Sequence, residues 1–90
     1  MKDLKAFERV LKAHANKRRL AIIKFLREKK EAAVGDIASA IQLSFKATSK
    51  HLGVLYACDV VEREQRSLQM YYRLPSKPDP VAKYISNSLE

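Results

Sequence analysis

Ninety residues carry the core of one small domain, which excludes a large enzyme with a cleft between domains. At 47% hydrophobic and 31% charged the composition is that of a globular chain, and no apolar run approaches the roughly 20 residues a membrane helix needs. Eighteen Lys and Arg against ten Asp and Glu leave a net charge of +8, which favours a polyanionic partner: nucleic acid first, an anionic membrane surface second, solubility alone as the bland alternative.

Leu4, Phe7, Val10, Leu11 and His14 recur at three-to-four spacing and predict an amphipathic helix over residues 3–14, with His14 as a packing residue rather than a ligand. Asn16 caps a second helix running to about Lys30, whose broad apolar face (Leu20 to Ile23, Phe25, Leu26) places it centrally. Ala32-Ala33-Val34 is a connector or a stub of strand. Ile37, Ala38 and Ile41 predict a short third helix from about Gly35 to Gln42, and Ser44 caps a fourth that runs to about Ala57. Beyond Asp59 the period changes to two. Val60-Val61 with the charges that follow, and Met70, Tyr72 and Leu74 alternating with Tyr71 and Arg73, predict a hairpin over about 60–74 that turns around Arg66-Ser67. Pro75, Pro78 and Pro80 mark a linker, and Val81, Tyr84, Ile85 and Leu89 share one face of a last helix over about 79–89.

The expected fold is therefore mainly α with a small β-hairpin. Two short helices joined at Gln42-Leu43, followed by a hairpin, make a winged helix-turn-helix filling residues 1–90 as one domain. The net charge comes from two segments. Residues 16–30 hold seven cations against Glu28, and residues 44–58 hold Lys46 and Lys50 with no acid. On the fourth helix Thr48, Leu52 and Leu55 form the buried stripe. Lys46, Ser49, Lys50 and Gly53 lie opposite within about 100°, a face able to donate to guanine edges or phosphates. A solvated helix surface is the plain alternative. Gly53 is either a close approach to phosphate or a tolerated surface glycine. His51 packs against a neighbouring helix or contacts phosphate. Phe45 touches a thymine methyl or closes the core beside the turn.

These residues also carry a resemblance. Ala15 to Ile22, reading Ala-Asn-Lys-Arg-Arg-Leu-Ala-Ile, resembles the opening of the ArsR-type winged-helix transcription regulators. Leu43-Ser44 with Ser49-Lys50-His51-Leu52 and Val54-Leu55 is similar to their recognition helix, and Tyr71-Tyr72-Arg73-Leu74 to the end of their wing. The resemblance spans about residues 6–74. It implies a three-helix core with a two-stranded wing, dimerisation through the first and last helices, and binding of palindromic operators in double-stranded DNA, often with repression relieved by a metal ion. Carried over by position, the DNA-binding set is Ser44, Phe45, Lys46, Ser49, Lys50, His51 and, on the wing, Arg66. The departures are as informative. Residues 34–41 lack the Cys-x-Cys pair of metal-sensing members, and residues 79–90 lack the histidines that others use, so neither metal nor other cofactor is expected. Lys17 replaces a proline, Ser67 stands near a turn glycine, and Asp59 replaces a helix-ending glycine.

The expected function is a sequence-specific DNA-binding regulator, a repressor acting as a homodimer, with Leu4, Phe7, Leu11, Val81, Tyr84, Ile85 and Leu89 as the interface and an unknown effector. The alternative is a winged-helix module that binds RNA or another protein. Two histidines on separate helices, no glycine-rich phosphate loop and no useful carboxylate pair speak against an enzyme. A membrane-surface role is disfavoured because the basic second helix needs its apolar face for the core. The lone Cys58 excludes an internal disulfide and points to a reducing, cytoplasmic compartment.

Overall fold

Of the five helices among the described residues, four begin where a short polar side chain takes up an orphan backbone N–H, and the helix Val34–Ile41 alone starts without one, at Ala33. In the computed structural model, which describes residues 3–90, Asp3 accepts from Ala6 N at 2.7 Å and Asn16 from Arg19 N at 3.0 Å. Ser44 accepts from Ala47 N at 3.1 Å and Asp79 from Val81 N at 2.9 Å. These caps open α1 (Leu4–His14), α2 (Lys17–Lys29), α4 (Phe45–Ala57) and α5 (Pro80–Ser88). The remaining elements are β1 (Glu31–Ala33), α3 (Val34–Ile41), β2 (Glu62–Arg66) and β3 (Gln69–Arg73).

The ends of α3 and α4 are set by residues in the left-handed region. Gln42 has φ 56° and ψ 50°, and the next N–H, from Leu43, reaches back to Ala38 O at 3.0 Å. Asp59 has φ 59°, and Val60 N–H reaches Leu55 O at 2.9 Å. Both are helix-closing motifs in which glycine is the usual residue. They turn the chain sharply enough to place α4 across α3 and to drop Val60 and Val61 into the core.

α2 is central, as its broad apolar face predicts, and touches α1, α3, α4, α5, β1 and β3. Ile22, Ile23 and Leu26 from α2 pack with Ile37, Leu52, Leu55, Val61 and Tyr72 in one buried cluster. The sheet departs from the expected two-stranded wing. Its order is β1-β3-β2, antiparallel throughout, with Glu31 opposite Arg73 and Ala32 opposite Tyr72. The stub at Glu31–Ala33 is thus a third strand that clamps the hairpin base to α2 and α3. The hairpin also starts later than the sequence pattern suggests: Val60 and Val61 are buried lead-in residues, and pairing begins at Glu62 opposite Arg73. The tip is Ser67-Leu68, and only Ser67 takes positive φ (56°), the φ pattern of a type II′ rather than a type I′ turn.

The apolar periodicity of α1 splits into two faces. Val10, Ala13 and His14 face the core, where His14 Nδ1 donates to Val10 O at 2.7 Å, while Leu4, Phe7 and Leu11 stay exposed. α5 lies against α1 and buries Ala82 and Ser86. Val81 and Ile85 are half-buried, Tyr84 is 74% exposed and Leu4 is 86% exposed. Leu89 leaves the predicted stripe. It caps α5 with extended backbone and packs against the core cluster, because the helix ends one residue before it.

Candidate nucleic-acid interface

α4 presents the face expected of it. Thr48, Leu52 and Leu55 are fully buried, so the opposite side must face solvent. Lys46 and Lys50 are exposed and Ser49 half-exposed, and no acidic partner of either lysine is found among the described residues. Ser44 uses one lone pair of its hydroxyl on the cap, which leaves the O–H free to donate outward. Phe45 is 62% exposed, so it does not close the core beside the turn. It lines a groove with Leu68, Gln69 and Met70 of the wing.

A Cβ at Gly53 would meet nothing within 4 Å. No packing inside the chain therefore requires glycine there, although glycine in a helix interior costs about 1 kcal/mol relative to alanine. Gly53→Ala is expected to raise stability by about that amount in urea titrations. If the open position admits a phosphate backbone, the same substitution weakens DNA binding. A variant that gains stability with unchanged DNA affinity would mark Gly53 as a tolerated surface glycine.

His51 is held from behind. Arg19 Nη1 lies 3.2 Å from its Nδ1, while Arg19 Nε donates to Ala13 O at 2.6 Å and Nη2 to Lys12 O at 3.2 Å. One guanidinium thus caps the end of α1 and fixes a side chain of α4. Because arginine only donates, Nδ1 must be the acceptor, which leaves Nε2–H as the outward donor. Burial, then the charges of Arg19 and Arg18, hold the His51 pKa below its usual 6.5. The unfolded chain therefore binds this proton more readily than the folded one. Stability linked to His51 is complete above the unfolded value and is lost as pH falls through it toward the folded value. Acidification from about pH 7.5 to about 5.5 should destabilise the wild type more than His51→Gln, as read from urea midpoints. Equal pH dependence in both proteins would rule out this coupling.

The wing is arranged differently from its sequence. Glu62, Glu64 and Arg66 share one face of β2 with Tyr71 and Arg73 of β3 and Glu31 of β1. Arg66 grips Glu31 with both nitrogens, at 2.7 and 2.9 Å, reaches Glu64 at 3.1 Å and lies over the Tyr71 ring. Arg73 contacts Glu64 at 3.1 Å and Glu62 at 3.3 Å. The guanidinium of Arg66 draws the Glu31 and Glu64 carboxyls below their usual range, and Arg66 itself is held more firmly protonated. Two arginines thus face three carboxylates, and this face offers a polyanion no net positive charge. Arg63 points the other way. Its guanidinium sits 3.8 Å from the centroid of the Tyr56 ring on α4, and no carboxylate partner of it is found among the described residues. Ser49 and Tyr56 are seven residues apart and so lie about 20° from each other around the helix. Arg63 therefore continues the exposed side of α4 that carries Lys46, Ser49 and Lys50. The strict alternation of Glu62-Arg63-Glu64-Gln65-Arg66 contains this separation of faces. The acidic partner supplied by Glu31 needed the third strand to become visible.

The family model described as bacterial regulatory protein, arsR family, matches residues 16–63, which run from the cap of α2 through α4 into β2. The chain belongs to the ArsR family. Over 67 residues, 74% of this chain, it is 37% identical to the transcriptional activator HlyU of Vibrio cholerae, and it spans 61% of that relative's length. The solution structure of the homodimeric winged helix-turn-helix DNA-binding domain of Mb0332 from Mycobacterium bovis superposes with a TM-score of 0.81 at 33% identity, covering 93% of this chain and 75% of that one. The transcriptional repressor PagR of Bacillus anthracis gives 0.80 at 26% identity, covering 97% and 95%. HlyU and PagR are named as transcriptional regulators, and this chain shares the winged helix-turn-helix of that family. Among the described residues no helix is long and apolar enough to cross a membrane, and no group of three or more His, Cys, Asp or Glu converges where a metal ion could sit.

Proposed function

We propose that the protein is a repressor that binds a palindromic operator in double-stranded DNA as a two-fold homodimer, without the metal-sensing sites used elsewhere in the family. The observation that carries this reading is the pairing of two surfaces. α4 presents Lys46, Ser49 and Lys50 around the open Gly53, and α1 with α5 presents the exposed Leu4, Phe7, Leu11 and Tyr84 beside the half-buried Val81. A symmetric dimer covers the second and sets two copies of the first about 34 Å apart, one turn of DNA. Repression fits this architecture, since a dimer occupying an operator excludes polymerase by bulk.

In the bound state Ser44, Lys46, Ser49, Lys50 and the His51 Nε2–H meet bases and phosphates, and Phe45 lies against the groove wall. Arg63, steered by Tyr56, takes the flanking phosphate, while Arg66 holds the wing together. Selection of bound duplexes from a random pool tests the reading: a two-fold repeat with half-sites one helical turn apart is expected. Enrichment of single-stranded RNA, or of no sequence, would overturn it, and transcription across the selected site in vitro separates repression from activation.

The two wing arginines should part in behaviour. Arg63→Gln is expected to weaken all duplexes alike and lower the salt slope by about two for a dimer, one phosphate per protomer. Arg66→Gln should leave the slope nearly unchanged and show itself as a loss of stability, because Glu31 then loses its two short charged hydrogen bonds and Arg73 alone faces three carboxylates. An equal loss of slope for the two variants would refute the assignment.

A further inference from the structure

A crevice of about 280 Å³ opens where α2, the proline-rich segment after β3 and α5 meet. Its apolar lining includes Ile23, Val60 and Ala82, all buried, together with Leu74 and Pro75. Arg27 and Lys83 also line it, and no Asp or Glu does. The half-buried Arg27 donates through Nη1 to the carbonyl oxygen of Ser86 in the last turn of α5, and no carboxylate partner of it is found among the described residues. A cation with unused donors thus borders an apolar hollow and is held there by a neutral acceptor.

We propose that this crevice binds a small apolar monocarboxylate, with Arg27 as its anchor, and that the ligand releases the strap between α2 and α5. A carboxylate accepts two parallel hydrogen bonds from a guanidinium, and charge-assisted bonds are roughly twice as strong as those to a neutral carbonyl. The ligand therefore displaces Ser86 O rather than adding to it. The lining selects against phosphates and nucleotides, because burying a doubly charged group against Ile23, Val60 and Leu74 carries a desolvation penalty that two cations at the rim do not offset. The size sets a further limit, since about 280 Å³ lies at the lower end of small-molecule sites and suits one ring or a short branched chain. Ala82 and Ser86 form the inward face of α5, while Val81 and Tyr84 lie on its outward side. A ligand behind α5 changes how that outward side is seated. This consequence, unlike the binding itself, rests on the proposed dimer.

The test uses the full chain without DNA. Titration with phenylacetate, followed by NMR, is expected to give saturable shifts confined to Ile23, Val60, Leu74 and Ala82. Phenylacetamide, the same shape without the charge, should bind at least about tenfold more weakly, as should phenylacetate to Arg27→Gln. Lys24→Gln, a change on the opposite groove of α2, should leave binding intact. The amide comparison uses the wild type alone and so stands even where Arg27→Gln fails to fold. Absence of saturable shifts up to about 10 mM, equal binding of the amide, or shifts centred elsewhere would overturn the site. Operator affinity and dimer dissociation that stay unchanged at saturating phenylacetate would overturn the coupling to α5.

Discussion

Phe7→Asp is expected to turn the protein into a monomer at micromolar concentration and to lower its affinity for a two-fold operator by about 10²–10⁴-fold. On α1, Leu4, Phe7 and Leu11 fall within about 60° of one another, beside the face that buries Val10 and Ala13. α5 lies against α1 and carries the exposed Tyr84, and exposed apolar side chains gathered on neighbouring helices mark an interaction surface. In a two-fold interface each substitution counts twice, and an aspartate at the centre leaves two buried carboxylates without partners. Folding of the monomer should survive, since Phe7 is 40% exposed and is not a member of the buried cluster, and Asp at an exposed helical site costs only about half a kcal/mol. The DNA effect follows from lost avidity: a monomer still docks one α4, but the second half-site no longer benefits from a high local concentration. Sedimentation and operator binding should be measured for Phe7→Asp and Tyr84→Asp beside Leu68→Ser, a change at the wing tip expected to leave the dimer intact. A Phe7→Asp protein that sediments as a dimer would place the interface elsewhere.

Where local chemistry decides the structure, the sequence is legible. Asn16, Ser44 and Asp79 cap their helices because their side chains reach an N–H two or three residues on, and such contacts need no knowledge of the rest of the chain. Thr48, Leu52 and Leu55 follow from helical periodicity for the same reason. What escaped depends on residues far apart in the chain. Three residues at Glu31–Ala33 carry too little pattern to announce a strand, yet their pairing with β3 brings Glu31 to Arg66 across 35 positions. That single contact holds the wing arginine expected to meet DNA among carboxylates, whereas Arg63, over the Tyr56 ring, has no carboxylate partner among the described residues. The division of α1 into a core face and an outward face is of the same kind. Periodicity shows that Leu4, Phe7, Val10 and Leu11 are apolar together, but only the position of α2 decides that Val10 turns inward.

Lys46 lies in the first turn of α4 and Lys50 one turn further along, both exposed, with the half-exposed Ser49 between them. Helix N-termini lead into the major groove in this motif, so Lys46 is placed to reach base edges and Lys50 base edges or flanking phosphates. Replacing a base-reading lysine with alanine should weaken specific binding by about 1–3 kcal/mol per site, and a dimer loses two contacts at once, so about 2–6 kcal/mol is expected. A lysine that meets only phosphate should weaken every duplex equally and lower the salt slope by about two. Lys24 is the comparison that decides. It belongs to the most basic segment of the chain, but it is half-buried in the groove between α2 and α3 beside Phe25 and Ile41, on neither α4 nor the wing. Its charge acts on DNA only at long range, where salt screens it within about 8–10 Å. Binding to the selected operator and to a scrambled duplex, each measured across a salt series, should therefore rank Lys46→Ala and Lys50→Ala well above Lys24→Ala. A Lys24→Ala loss as large as the other two would mean that total charge, not the face of α4, sets affinity, and that the protein binds polyanions without reading sequence.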